Sequence, residues 1–407
     1  MKTNPKLSKR IIKKTNVEKT KVKYGPTFGL ELSHFKSIED NMRKAHMCGN
    51  IKFGHFEYLC KSCNIIEKIP LSCKSRACNK CGREYAQAWA HKLAEDLISV
   101  PHRHLVFSLP DKLRDIFCKN RHLLGKLTYA INDILGACLK GDTDRFKNNK
   151  GKINLGRPKK RKKKTKKSLK RKMKFGLITV IHTFGRKANF NPHFHCILTE
   201  GLIDKNGTFT PVTYLPYDFL RVSWQAAVLK VLRKEFKNDQ YVKNLLNLNY
   251  NNNKETGFYV HAEQRLTEPK GLANYLGRYL ARPAIAEYRI LEYSNDKVTY
   301  WYTDTKTKEK TTVTIPVEDF IYRICLHIPH KNFKMVRRFG IYSRRGSHKM
   351  RKILSKFRSK LFKIKRPTWV EKIIGYTGSN PLECKICFRK LKKTKLFHYF
   401  YGEYKFE

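Results

Sequence analysis

The chain has 407 residues and is 41% hydrophobic, enough for a buried core and too much for wholesale disorder. Its 87 Lys and Arg against 33 Asp and Glu give a formal charge of +54, far beyond what solubility requires. A field of that sign concentrates polyanions. Nucleic acid is the leading partner, because each phosphate contact releases condensed counterions. A lysine-rich genome would also inflate surface charge, but it would raise Glu alongside Lys, and Glu is scarce here. No stretch approaches the ~18 apolar residues of a membrane span. The basic segment Met1 to Lys23 lacks the apolar core of a secretory signal. The cysteines are therefore expected to be reduced, and closely spaced ones to bind metal before they form disulfides.

Residues 1–25 read as a flexible basic tail. Residues 26–97 hold six cysteines and end in a helical stretch, Glu84 to Leu97. The run His102 to Leu109, closed by Pro110, reads as a strand. Residues 111–140 carry Leu113, Phe117, Leu123, Leu124, Leu127, Ile131, Ile134 and Leu135 at helical spacing. Residues 147–174 form a polybasic, low-complexity insertion expected to stay disordered until it meets an anion. Leu177 to Phe184 and His193 to Thr199 alternate as strands that could pair through the Gly185–Pro192 turn. Residues 215–247 look helical, Gly271 to Ala281 is a short helix ended by Pro283, and residues 288–345 look β-rich. Residues 363–407 form a C-terminal segment with a single CxxC.

Three constellations carry chemistry. In Pro192-His193-Phe194-His195 the two histidines lie two apart on a strand and share a face, with Phe194 directed into the core. Two imidazoles and a third ligand would hold a divalent ion, magnesium or manganese, with manganese at least as natural a fit to imidazole. His182 on the neighbouring strand is either a third ligand or a turn cap, the second reading being preferred. Glu200 and Glu268 are other third-ligand candidates. Taken alone, the short HxH pattern is more often two unrelated histidines.

In Asn274-Tyr275-Leu276-Gly277-Arg278-Tyr279-Leu280-Ala281-Arg282, residues four apart share a helix face. Tyr275 and Tyr279 would stack on one side, while Arg278 and Arg282 suit phosphate contact. Tyrosine can attack phosphorus to form a covalent ester that conserves the bond energy. No GxxxxGK[ST] loop is present. Spacing alone also fits ordinary aromatic helix packing.

In Cys60-x2-Cys63-x14-Cys78-x2-Cys81, two CxxC knuckles match a closed tetrahedral structural zinc site. Cys48, His55 and Cys73 lie nearby and could contribute to it or to a second site. Lys61, Lys74, Arg76, Lys80 and Arg83 are available to phosphate. Cys384-x2-Cys387 lacks an evident second pair, with His398 as one candidate partner. Cys118, Cys138, Cys196 and Cys325 are expected in the core.

The order of these parts is itself informative. Cysteine knuckles with SCKSRACNKCG are followed by HRHLVFSLP, IHTFGRKANFNPHFHCILTEG, YLGRYLARPAIAEYRI and HIPHKNFKMVRRFGIYSRR. Together they resemble the rolling-circle insertion-sequence transposases with an N-terminal zinc-binding domain, of the two-tyrosine HUH class. The resemblance runs from about Cys48 to Arg345. It implies an α+β fold, in which a small zinc-binding domain (26–97) precedes an HUH endonuclease-like antiparallel sheet with flanking helices (98–362). It also implies that His193 and His195 bind the catalytic ion and that Tyr275 and Tyr279 are nucleophiles. The activity implied is a DNA transposase that nicks and rejoins single-stranded DNA at transposon ends and target, leaving a 5′-phosphotyrosine and a free 3′-hydroxyl. The expected location is the bacterial cytoplasm, at the nucleoid. Two departures stand out: the polylysine insertion, and Asn79 where a proline commonly follows the knuckle's first cysteine. Another HUH enzyme, such as a replication initiator or relaxase, and a non-catalytic zinc-bearing nucleic-acid-binding protein are the competing readings.

Overall fold

The computed structural model describes residues 7–25, 32–141, 173–250 (except 205 and 213), 257–266, 284–343 (except 305 and 306) and 378–406, with a few isolated positions between 344 and 377. Its elements, in chain order, begin with α1 (Leu7–Ile11), α2 (Lys14–Tyr24), α3 (Leu32–Met47), β1 (Gly54–Cys60), β2 (Ile65–Pro70) and α4 (Asn79–Asp96). Then come β3 (His102–Ser108), α5 (Asp111–Lys119), α6 (His122–Lys140), β4 (Gly176–Phe184), β5 (Phe190–Thr199), β6 (Gly201–Ile203) and β7 (Phe209–Pro211). Next are α7 (Tyr217–Glu235), α8 (Gln240–Tyr250), β8 (Val260–Leu266), β9 (Ile290–Ser294), β10 (Lys297–Thr303) and β11 (Lys310–Pro316). The last are α9 (Val317–Cys325), β12 (Val336–Gly340), β13 (Lys392–His398) and β14 (Gly402–Lys405). The mixed α+β class and the antiparallel sheets agree with the sequence expectation.

The chain divides into two compact units, each discontinuous in sequence. One contains residues 1–91, 281–331 and 363–407; the other contains 92–280 and 332–362. The sequence reading places boundaries at 97 and 362, with residues 98–362 as one domain and 363–407 as a separate segment. Residues 281–331 and the C-terminal segment instead group with the cysteine-rich unit, which no local pattern indicates.

In the cysteine-rich unit, among the described residues, β1 is central to an antiparallel sheet of order β14-β13-β1-β2. β1 pairs with β2 from His55↔Pro70 to Cys60↔Ile65 and with β13 from Gly54↔His398 to Leu59↔Lys392. Residues 392–405, expected as a separate tail segment, thus complete the sheet of the first knuckle. A second sheet, β11-β10-β9, is built on period-2 alternation: Val298, Tyr300 and Tyr302 of β10 are buried while their neighbours are not.

Residues 7–25 are not a flexible tail. Ile11 and Ile12 are buried. The Asn16 side-chain amide donates to the Ile11 carbonyl and to the Tyr293 hydroxyl, both at 2.9 Å. The Tyr24 ring stacks on Tyr322 with centroids 4.2 Å apart, and its hydroxyl donates to Asp319. Like-charge repulsion among the lysines is outweighed because the apolar and hydrogen-bonding residues share one side, against α9 and β9, and the lysines project outward. Lys19 and Lys23 pair with Asp296 and Asp319 at 2.8 Å each.

In the other unit, the described strands form an antiparallel sheet of order β12-β4-β5-β3-β8. Alternation divides the sheet's two faces. Leu105 and Phe107 of β3, Leu177 and Ile181 of β4, and Phe194, Cys196 and Leu198 of β5 are buried in one core with α5, α6, α7 and α8. α6 presents Leu123, Leu127, Ile131, Ile134 and Leu135 to that core, the 3.6-residue period seen in the sequence. It ends at Gly141, whose φ of +64° supplies the left-handed cap. Trp224 of α7 is fully buried, edge-on to both Phe107 and Phe194 at 5.3 and 5.5 Å. Its indole N–H donates to the Ser108 carbonyl at 2.7 Å. The wedge therefore fixes the ends of β3 and β5, where the histidines on the opposite face converge. At the sheet edge β12 closes on the start of β4. Gly340 takes φ +58° there, and a Cβ would lie 1.8 Å from the Phe175 carbonyl oxygen. The polybasic insertion lies outside the described residues apart from Met173 and Lys174.

Candidate active site

β4 and β5 pair as expected, although the turn spans only residues 185–189 and Phe190 to Pro192 already belong to β5; the register sets His182 opposite His193 and Val180 opposite His195. β3 flanks β5 on the other side, with Val106 opposite His195 and Ser108 opposite His193. Residues directly across a ladder share a face. His182, His193 and His195 therefore emerge together on the face opposite Phe194 and Trp224. One ligand nitrogen from each of the three lies within 4.8 Å of the others.

Hydrogen bonds orient the rings. His193 Nδ1 is 2.7 Å from the Asn191 carbonyl. A carbonyl only accepts, so Nδ1 carries the proton and Nε2 presents its lone pair. That Nε2 is 3.0 Å from His182 Nδ1. His195 Nδ1 is 3.0 Å from Nε2 of His104, and the two rings lie nearly parallel, 6° apart. The carbonyl behind the His193 ring and the imidazole behind His195 are the outer-shell support that orients metal-binding histidines. Burial lowers the pKa of His193, and Arg114 of α5 adds to that effect. Burial lowers His195 well below its ordinary value, with His193 and His104 contributing repulsion. Neutral imidazoles are what a metal requires, and a donor set of three nitrogens fits a borderline divalent ion better than magnesium, which prefers oxygen.

His182, read from the sequence chiefly as a turn cap, thus joins the predicted pair. The register decides this, because a one-residue slip would turn it into the core. Glu200 does not join: it lies beyond the far end of β5, buried and ion-paired with Arg103. Glu268, Tyr275, Tyr279, Arg278 and Arg282 lie outside the described residues. Two contributors escaped the sequence reading. His104 could have been found from the alternation in His102-Arg103-His104. Arg114 carries no sequence signal, since it sits on a helix whose other residues read as core and surface.

The cysteines are regrouped. Cys60 and Cys63 do not share a site with Cys78 and Cys81. Instead Cys48, Cys73, Cys78 and Cys81 form one cluster, and Cys60, Cys63, Cys384 and Cys387 another, each with sulfurs within 4.8 Å of one another. The linear spacing was misleading because β1 and β2 carry the first knuckle to one end of their sheet. Residues 73–81 instead fold back on the end of α3. There Cys48 and Cys73 approach Cys81 at 3.7 and 3.5 Å. Hydrogen bonds from its three neighbours pull the Cys48 thiol well below its ordinary pKa. Acting as donor to Cys48 holds Cys73 far above it. Such a set of four sulfurs has the composition of a closed tetrahedral zinc site. His55 is directed elsewhere, to the Ile51 carbonyl and Glu57, and His398 packs on Phe400 and Tyr401. Of the basic residues expected to meet phosphate, Lys61, Lys74, Arg76 and Lys80 are exposed. The side chain of Arg83 lies outside the described residues. Cys138, Cys196 and Cys325 are buried, and Cys118 is half-buried.

No described helix is long and apolar enough to cross a membrane. The Y2_Tnp transposase family matches residues 176–350, which contain β4, β5 and the two predicted tyrosines. The transposase zinc-binding domain of IS91 type matches residues 23–109. These include all of the first cysteine cluster, and the domain and its clusters together support structural zinc. Among curated relatives, the transposase for insertion sequence element IS801 of Pseudomonas savastanoi pv. phaseolicola is 27% identical over 317 residues, 74% of this chain and 66% of that protein. The chain thus spans just under two thirds of that relative's length. The transposase y4qJ of Sinorhizobium fredii is 22% identical over 339 residues, 79% of each chain. No solved structure matches. A match to a transposase zinc-binding domain of IS91 type followed by a match to a transposase domain makes the chain similar, in both parts, to insertion-sequence transposases.

Proposed function

We propose that the chain nicks and rejoins single-stranded DNA at the ends of its insertion sequence and at the target, through a 5′-phosphotyrosine, in a rolling-circle-like transposition. The observation that carries this reading is the convergence of His182, His193 and His195, with their ligand nitrogens within 4.8 Å. These three would hold a divalent ion, manganese or magnesium. When bound, the ion would polarise a phosphoryl oxygen and offset the negative charge that develops on it.

The protein's own residues supply the rest. Asn191 and His104 hold the imidazoles in orientation. Tyr275 or Tyr279 loses its phenolic proton, and its oxygen forms a bond to the scissile phosphorus. The bond from phosphorus to the 3′-oxygen breaks, and that oxygen takes up a proton as the free 3′-hydroxyl. Attack by another 3′-hydroxyl reverses the sequence, rejoins DNA and frees the tyrosine, with no nucleotide hydrolysis. A free phenol ionises near pH ~10, so cations near the nucleophile, with Arg114 and Arg278 as candidates, would favour the phenolate. A second tyrosine allows the other end or the target to be engaged before the first product is released. The excess of Lys and Arg suits a groove for the strand's backbone, with bases stacked on exposed aromatics. The corresponding location is the cytoplasm, at the nucleoid.

The test is incubation with labelled single-stranded oligonucleotides from the element's ends and manganese, followed by mass spectrometry of covalent adducts. An adduct on Tyr275 or Tyr279 is expected, lost in the double Tyr→Phe variant with DNA binding retained. Adducts that persist in that variant would remove the tyrosine assignment. Binding without any nicking by the unaltered protein would leave a zinc-bearing DNA-binding protein.

A further inference from the structure

The C-terminal CxxC has no partner within its own segment, and the zinc-binding family match ends at residue 109. We infer that Cys60, Cys63, Cys384 and Cys387 form a second structural zinc site, so that the chain carries two zinc ions, the second clasping its C-terminal strands to the first knuckle. The four sulfurs lie within 4.8 Å of one another, and Cys60 and Cys387 are 3.5 Å apart although 327 positions separate them in sequence. A disulfide would need about 2.05 Å, and all four cysteines are free thiols. Four thiolates in two CxxC turns match closed tetrahedral zinc.

Both knuckles are shaped for the role. Cys60 ends β1, and Cys63 lies in the turn to β2, where Asn64 adopts a left-handed φ of 53°. In the C-terminal knuckle the Ile386 amide donates to the Cys384 sulfur at 3.5 Å, the kind of bond that stabilises a bound thiolate. The Cys384 amide donates to the Arg389 carbonyl and the Phe388 amide to the Cys384 carbonyl, at 2.9 and 3.0 Å. These bonds close the loop, with Phe388 at φ 57°. Tyr58 and Leu391 pack beside the sulfurs. Side chains seal the junction on both sides: Arg389 donates to the Ser62 hydroxyl at 2.7 Å, and Lys385 pairs with Glu67 at 2.9 Å. The β1–β13 ladder begins immediately beyond, at Leu59↔Lys392. The ion would therefore lock the register that adds β13 and β14 to the sheet.

Native mass spectrometry of the full chain, purified without chelator, tests this. Two zinc ions are expected, falling to one in C384S/C387S, in C60S/C63S and in the quadruple variant alike, because both pairs serve the same ion. One zinc in the unaltered chain, or two in C384S/C387S, would overturn the inference. Alkylation after denaturation in chelator provides a check that needs no variant. All twelve cysteines should be labelled, whereas an unlabelled pair among these four would identify a disulfide and overturn the zinc site. Trypsin should cut at Lys390–Lys395 faster in C384S/C387S than in the unaltered protein, and equal rates would overturn the clasp.

Discussion

His193 Nε2 and His182 Nδ1 meet at 3.0 Å across the β4–β5 ladder, and this contact turns a two-histidine motif into a three-nitrogen site. If these nitrogens bind the ion, His182→Ala should weaken manganese affinity by at least about tenfold, roughly 1.4 kcal/mol. His193→Ala and His195→Ala should abolish measurable binding. Titration calorimetry with manganese is the measurement. Unchanged affinity in His182→Ala would return that residue to a turn-capping role.

His104 touches His195 and not the proposed ion position. Its replacement by Ala should leave the fold intact and lower metal affinity about 10–100-fold, the usual effect of losing an outer-shell partner. Replacement by Gln, which can still hydrogen-bond to His195 Nδ1, should restore part of the loss. Equal affinities in His104→Ala and the unaltered protein would show that the pairing does not support the site.

Arg114 adds to the lowering of the His193 pKa, and under the proposed function it is a candidate cation for the scissile phosphate. Arg114→Ala should reduce nicking by about 10- to 100-fold, with the lost charge-assisted contact of about 1.5–3 kcal/mol. Arg114→Lys should recover part of that rate. Single-turnover cleavage of a labelled oligonucleotide separates this effect from binding, and an undiminished rate in Arg114→Ala would exclude it.

His102 is buried, with Nε2 2.6 Å from the Tyr342 hydroxyl, and burial lowers its pKa to about 4. Its folded pKa is below that of the unfolded chain, near ~6.5, so acid favours unfolding. The contribution is complete above that value and is lost as pH falls from about 6.5 to 4, amounting to roughly 3 kcal/mol. Urea midpoints should drop over that range, and His102→Gln should flatten the drop. An equally steep dependence in the variant would assign the loss to other groups.

Trp224→Ala removes the fully buried wedge behind Phe107 and Phe194. About 3–5 kcal/mol of destabilisation is expected for a buried aromatic, with the melting temperature lowered by roughly 10 °C. Calorimetry gives the value, and a loss under about 1 kcal/mol would mean that the sheet face closes without it.

Local pattern determined much of this protein. Alternation in His102 to Leu109, Leu177 to Phe184 and His193 to Thr199 specified β3, β4 and β5 and placed Phe194 behind the two histidines. Apolar spacing specified α5 and α6, although α5 ends at Lys119 and α6 begins at His122 where one helical stretch was expected. Charge pointed to a polyanionic partner, and two cysteines separated by two residues pointed to metal knuckles. These properties repeat within a few residues, so a linear reading detects them. What only the tertiary structure decided is which distant pieces meet. It matched Cys60 and Cys63 with Cys384 and Cys387, gave Cys48 and Cys73 to the other knuckle, and drew residues 7–25 into a core. It also placed His182 and His104 around the histidine pair. Each of these depends on strand register and on burial against residues tens to hundreds of positions away. Spacing along the chain carries no record of either, because a ladder brings residues together by hydrogen-bond pairing whatever the length of the connection between them.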